Sequence, residues 1–336
     1  MHEPHDTLFK AVFGNPAHAA AELRAVLPSE LARYIDFDSL VKLPHSFVDA
    51  RYKWRHSDLI FSARIAERDA LIYCLFEHQS DVDKRMPLRL LRYMVRIWDA
   101  HLEIDKTAKR LPMIVPVVLH HGKSGWTAAT QFQQLLDVPA TEPALSRYVP
   151  NFEFVLDDLV RASDAELQSR QMAAFLQLVL WVMRDARRRG RLLSGLRAWR
   201  TQLRAVARTP GGWEALELIF MYIAQVAGEH EAEQFFEQAQ AIDSAVKEHI
   251  MTYAQKLEAR GIKLGIKKGE ALGIKKGEAL GVLQGQRAAV IGVLEARGVV
   301  LSPEQRQRIE ACESAEQLDR WVRLAATIGS ADELFV

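Results

Sequence analysis

Apolar and polar positions follow three successive patterns along the chain. Up to about residue 35 the apolar positions recur at helical spacing. Asn15-Pro16 reads as a cap followed by proline at the first helical position, and Ala19, Leu23, Val26 and Leu27 follow on one side. Near residue 45 the period shortens to two, in Ser46 to Tyr52 and again in Asp58 to Ile65. A continuous apolar run, Ala70 to Phe76, then predicts a strand buried on both faces. Turn-sized gaps between these three segments predict an antiparallel meander. A helix is expected from Lys84 to His101, followed by an apolar strand, Met113 to His120, returning parallel to the third through a right-handed crossover. One more short strand is predicted at Phe152 to Leu156. The expected fold class is therefore α/β, a mixed central sheet flanked by helices.

Beyond Ser163 the pattern is helical throughout, with segments at Ala173 to Arg188, Leu192 to Val206, Trp213 to Val226 and Glu231 to Gln240. Charge is uneven here. Residues 184–208 hold nine arginines and one acid, whereas residues 210–243 carry only acids among their charged positions. The arginines read either as a second DNA surface or as partners of the acidic helices. Residues 261–285 place glycine at every fourth position and repeat the octamer Gly-Ile-Lys-Lys-Gly-Glu-Ala-Leu. A four-residue step drifts by about 40° per repeat, so the glycines spiral around a helix and form no flat face. Each costs about 1 kcal/mol against alanine, which leaves a spacer, a weak helix or a Gly-xxx-Gly self-association helix as readings. Ser302-Pro303 opens a last helical piece around Leu318, Trp321 and Leu324. The expected organisation is a core at 1–160, a helical extension at 161–243, a long helix or linker at 244–300 and a small helical piece at 301–336.

The chain has 336 residues and a formal net charge of +1, so bulk charge neither demands nor excludes a polyanionic partner. Cys74 and Cys312 are far apart and have no CxxC or histidine spacing, which argues against structural zinc and fits a reducing compartment. With no signal-like start and no apolar run long enough to span a bilayer, the expectation is a cytoplasmic protein, away from membranes.

The candidate chemistry lies in the sheet. Asp58 opens the second strand and Glu77 closes the third, so a hairpin between them brings the two acids to one edge. Glu77 and Gln79, two apart, share a strand face. Two carboxylates and an amide suit Mg2+ or Mn2+, with the backbone carbonyl of His78 between them as a third protein ligand. The same residues also read as solvated strand-end polar groups. The following helix adds weight to the metal reading. Lys84 precedes Arg85, Arg89, Arg92 and Arg96, which fall within about 60° of one another, a spacing that suits a phosphate backbone. Leu88, Leu91, Val95, Trp98 and Leu102 fall on a different face.

In order along the chain stand His5-Asp6-x-x-Phe9-Lys10-x-x-Phe13, Ser46-Phe47-Val48-Asp49, Ser57-Asp58-Leu59, Glu77-His78-Gln79-Ser80, Arg89 to Met94, His121-Gly122-Lys123 and Trp126. Together these resemble the recombination-promoting nuclease family, also called the YhgA-like transposases, over roughly residues 4–240. The resemblance implies a restriction-endonuclease-like PD-(D/E)xK core and divalent-dependent DNA cleavage that promotes recombination. On that pattern Asp58 and Glu77 match the two acids. Gln79 stands where lysine is usual, and Ser57 where the motif name has proline. A glutamine cannot carry a proton, so Gln79 is expected to orient water rather than act as a base.

His5, Asp6, Lys10, His121 and Lys123 are candidate supporting residues. Asp6 reads as a helix cap or an active-site acid, and His121 or Lys123 as a phosphate contact. His120 and His121 should point to opposite faces, which argues against a metal shared by the pair. The expected function is a Mg2+- or Mn2+-dependent DNA endonuclease of low sequence preference, acting as a homodimer without an organic cofactor. The rival readings are an inactive DNA- or protein-binding module and a scaffold oligomerised by the glycine-period segment.

Overall fold

The computed structural model describes residues 4–44, 59–66, 68–77, 82–137 and 143–336. The expected strand at Ser46 to Tyr52 lies outside this set. Three N-terminal helices come first, α1 (Pro4–Phe13), α2 (Pro16–Val26) and α3 (Ser29–Ala32). As the sequence predicts, Asn15 caps α2, its side chain accepting from the Ala17 amide at 2.9 Å.

The sheet has five strands in the order β1 (Ile35–Lys42), β2 (Leu59–Ile65), β3 (Arg68–Glu77), β4 (Met113–His120) and β5 (Val155–Asp158). β1, β2 and β3 form an antiparallel meander, and β4 and β5 add in parallel. The parallel return of β4 requires a crossover, which α4 (Met86–Ile104) provides. β1 was not expected. Its register shifts between Asp36 and Val41, which breaks the period-two signal over Ile35 to Lys42.

Alternation divides the strands between two apolar layers. Leu59, Phe61, Ala63, Ala70, Ile72, Val115, Val117 and Leu119 pack with α1, α2 and the later helices. Ile60, Leu71, Ile114 and Val118 pack beneath Met86, Leu90, Met94 and Ile97 of α4. The central strands are thus covered on both faces, which explains their unbroken apolar sequence.

The helical extension comprises α5 (Asp164–Ser169), α6 (Ala174–Asp185), α7 (Arg191–Ala207), α8 (Gly212–Val226) and α9 (Glu229–Gln240). It shares its core with the sheet. Trp181 and Trp199 stack at 5.3 Å between ring centres, both fully buried. The long α10 (Ser244–Ala296) begins in the same core through Val246, Ile250 and Tyr253.

The chain divides into two compact units, Met1–Tyr253 and Ala254–Val336. In the second, Val290 and Leu294 pack with residues of α11 (Pro303–Glu310) and α12 (Ala315–Ala325), including Ile309, Leu318 and Trp321. Ser302 and Gln305 form the capping box that opens α11. The glycine-period segment is helical, and Ile266, Leu272, Ile274 and Leu280 on it are all exposed. A Cβ added at any of its seven glycines would meet nothing within 4 Å.

Candidate active site

β2 and β3 pair with Leu59 opposite Cys74, so the start of β2 lies beside the end of β3. Leu59 directly follows Asp58 in the chain, and Glu77 is the last residue of β3. Glu77 is in turn the Cα partner of His120, and His120 that of Asp158. The carboxyl ends of β3, β4 and β5 therefore align in one row. Asp58, His78 and Gln79 lie outside the described residues, and of Glu77 the structure describes the backbone. Among the described residues no cluster of three His, Cys, Asp or Glu side chains is spaced to hold a metal. The expected donors, two carboxylates and a carbonyl, are chemically those of a hard divalent cation. At the end of β4, where His120 pairs with the Glu77 backbone, the buried Nδ1 of His120 lacks a hydrogen-bond partner among the described residues.

The sequence presents α4 as a two-sided helix, but it has three faces. Its core face consists of Met86, Pro87, Leu90, Tyr93, Met94, Ile97 and Ala100. The stripe of Leu88, Leu91, Val95, Trp98 and Leu102 is half-buried to exposed, with Val95 and Leu102 well exposed. The arginines form the third face. Arg85, Arg89, Arg92 and Arg96 line one groove of about 370 Å3 together with Asp83, Leu88 and Tyr93. Lys84, Arg85 and Arg92 are exposed, Arg89 approaches Asp83 at 3.8 Å, and the Arg96 guanidinium stands over the Tyr93 ring. Asp83 thus offsets part of a stripe whose own positions include no acid.

The supporting residues divide by location. His5, Asp6 and His121 are all buried. Asp6 lies inside the first turn of α1, not at its cap. His5 Nδ1 and the Tyr222 hydroxyl are hydrogen-bonded at 2.8 Å, and the His5 and His121 rings lie 4.8 Å apart. Burial pushes the Tyr222 hydroxyl well above its ordinary pKa, which keeps it protonated. His121 Nδ1 donates to the Met183 carbonyl at 3.2 Å, so this ring ties β4 to α6, whereas Lys123 is exposed. Lys10 is half-buried.

His120 and His121 do point to opposite sides. The His120 ring meets Trp126 edge-on at 5.2 Å, and Trp126 belongs to the α4-side core. Asp158 at the end of β5 accepts from the Trp126 amide at 2.7 Å, and Arg161 donates to the Trp126 carbonyl at 2.6 Å, which pins the loop after β4. Sequence reading missed Tyr222 and the strand-end row of His120 and Asp158. The contact between His5 and Tyr222 spans 217 residues, and no local pattern announces it.

Four of the nine arginines in the arginine-rich segment meet acids. Arg184 is buried with Asp164 and Asp185, Arg191 approaches Asp185, and Arg204 and Arg208 meet Asp243. Arg197 and Arg200 are exposed, with no partner among the described residues. The described residues include no helix long and apolar enough to cross a membrane.

Comparison with known proteins places this architecture. The chain is 29% identical over 267 residues to the inactive recombination-promoting nuclease-like protein RpnE of Escherichia coli K12, covering 79% of this chain and 85% of that one. It is 34% identical over 179 residues to recombination-promoting nuclease RpnD of Escherichia coli O157:H7, covering 52% and 66% respectively. To recombination-promoting nuclease RpnA of Escherichia coli K12 it is 29% identical over 261 residues, covering 77% and 84%. No solved structure matches. The family model described as "Putative transposase, YhgA-like" matches residues 3–212, and the chain belongs to that family.

Proposed function

We propose that this protein is a divalent-metal-dependent DNA endonuclease that hydrolyses phosphodiester bonds with low sequence specificity. The observation that carries the proposal is the strand arrangement. β2 begins immediately after Asp58 and beside the end of β3, where Glu77 stands. Asp58, Glu77 and the His78 carbonyl would hold Mg2+ or Mn2+. Bound there, the cation supplies an acidified water and neutralises charge on the leaving oxygen. Gln79 orients the attacking water through its amide, which can donate and accept hydrogen bonds but cannot take up the proton. Arg85, Arg92 and Arg96 grip the phosphates in the α4 groove, with the exposed Lys84 as a further phosphate contact, while Arg89 divides its charge between DNA and Asp83. His5, Asp6, Lys10, His121 and Lys123 act in support, the buried ones by fixing α1 and α6 against the end of β4. A homodimer lets two single-cut sites make one double-strand break.

A second reading, a catalytically inactive DNA-binding relative, draws support from the word "inactive" in the name of RpnE. Nicking of supercoiled plasmid by the purified chain separates the two. Cleavage that needs a divalent ion and is lost in Asp58→Ala supports the endonuclease, and DNA binding without cleavage across Mg2+ and Mn2+ supports the second.

A further inference from the structure

The row of strand ends contains a group that the two-acid site does not use. His120 is the last residue of β4 and is 1% exposed. Its Nε2 lies 2.9 Å from the carbonyl oxygen of Ser124. A carbonyl can only accept, so Nε2 carries the hydrogen, and in a neutral ring Nδ1 is left as a bare lone pair. That Nδ1 is buried and has no partner among the described residues. An unsatisfied buried acceptor costs about 1–3 kcal/mol, so such an arrangement calls for a function.

The pattern has a chemical counterpart. Histidines that bind metal characteristically donate their other ring N–H to a carboxylate or backbone carbonyl, which fixes the tautomer and aims the free nitrogen. Here the Ser124 carbonyl fixes the tautomer, while the ring is held edge-on against Trp126. Trp126 is itself anchored at its amide by Asp158. The Cα partner of His120 across the β3–β4 ladder is Glu77, and directly paired residues of parallel strands share one face of the sheet.

We infer that His120 supplies a nitrogen ligand, through Nδ1, to the divalent metal held at Glu77. This rests on the nuclease reading and extends it by naming the class of ion. A mixed oxygen and imidazole donor set favours a first-row transition ion such as Mn2+, Co2+ or Ni2+ over Mg2+, which prefers oxygen ligands and retains its waters.

The test is electron spin-echo spectroscopy of the full chain loaded with Mn2+ alone, with calorimetric titration beside it. The inference predicts 14N modulation from a directly bound imidazole in the wild type. His120→Gln should remove that modulation and weaken Mn2+ binding roughly tenfold or more. Gln is chosen because its amide can still reach the Ser124 carbonyl, and an unchanged urea midpoint would show that the fold survives. Mn2+ bound in a Glu77-dependent way without 14N modulation would overturn the inference and leave the two-acid nuclease intact. A wild type that binds no Mn2+ would overturn both.

Discussion

Glu77 and His120 are partners at the ends of two parallel strands, and the acidic strand-end Asp158 continues the same row. Carboxyl ends of parallel strands are where open α/β sheets gather functional groups, because the following loops are free of the ladder. β2 runs antiparallel to β3 and begins at this edge, directly after Asp58 in the chain. The proposed site therefore rests on topology as much as on motif.

The α4 groove should set the salt dependence of DNA binding. Each phosphate contact contributes about 0.9 to the slope of log affinity against log salt. Arg92→Ala combined with Arg96→Ala should lower that slope by about 2, measured by fluorescence anisotropy over a salt series. An unchanged slope would move the DNA to another surface, with the exposed Arg197 and Arg200 of α7 the next to test.

Glu22 is buried, and burial together with the neighbouring Asp157 raises its pKa well above the usual carboxylate value, against the lowering effect of Arg170. A carboxyl with a raised folded-state pKa holds its proton longer when folded. Stability thus falls as pH rises from the unfolded value toward the folded one. Glu22→Gln should be more stable than wild type at neutral pH, with the advantage fading as pH drops toward the ordinary glutamate range. Urea midpoints at the two pH values decide it, and a constant difference would contradict the assignment.

Arg170 spans Glu22 at 2.8 Å and Asp157 at 2.7 Å, which ties α2 to β5. Arg170→Ala leaves the buried Asp157 carboxylate without its counter-charge and Glu22 without its hydrogen-bond donor, and should cost about 3–5 kcal/mol. Chemical denaturation measures this directly. A loss below 1 kcal/mol would mean that water replaces the guanidinium.

Gly195 faces the indole of Trp181, where an added Cβ would lie 2.9 Å from Nε1 and 3.3 Å from the ring carbons. The ring is fully buried and stacked, so it cannot yield cheaply. Gly195→Ala should destabilise by about 1–3 kcal/mol despite the better helix propensity of alanine. The glycines of α10 should behave oppositely. Gly269→Ala and Gly277→Ala meet open space and should raise helicity, by about 1 kcal/mol each, in circular-dichroism melts. A loss there would indicate that a second copy packs against those positions.

Much of this architecture was legible in the chain. β4 appears at its full predicted span because Met113 to His120 is uninterrupted and covered on both sides. The caps at Asn15 and Ser302 are local chemistry and follow from a few neighbouring residues. β1 was not legible, because an irregular pairing removes the alternation that would announce it. α4 carries two apolar faces, and only the sheet beneath decides that Leu90 and Ile97 are buried while Val95 and Leu102 are exposed. The Glu77–His120 row and the His5–Tyr222 contact join distant segments, so neither spacing nor periodicity could supply them.

Plasmid nicking with the purified full chain tests the central claim most directly, comparing wild type with Asp58→Ala and Glu77→Ala in Mn2+ and in chelator. The account predicts nicking by wild type in Mn2+ alone, with none above background in chelator or in either variant, while both variants keep wild-type DNA affinity. Equal cleavage by wild type and the two variants would contradict it.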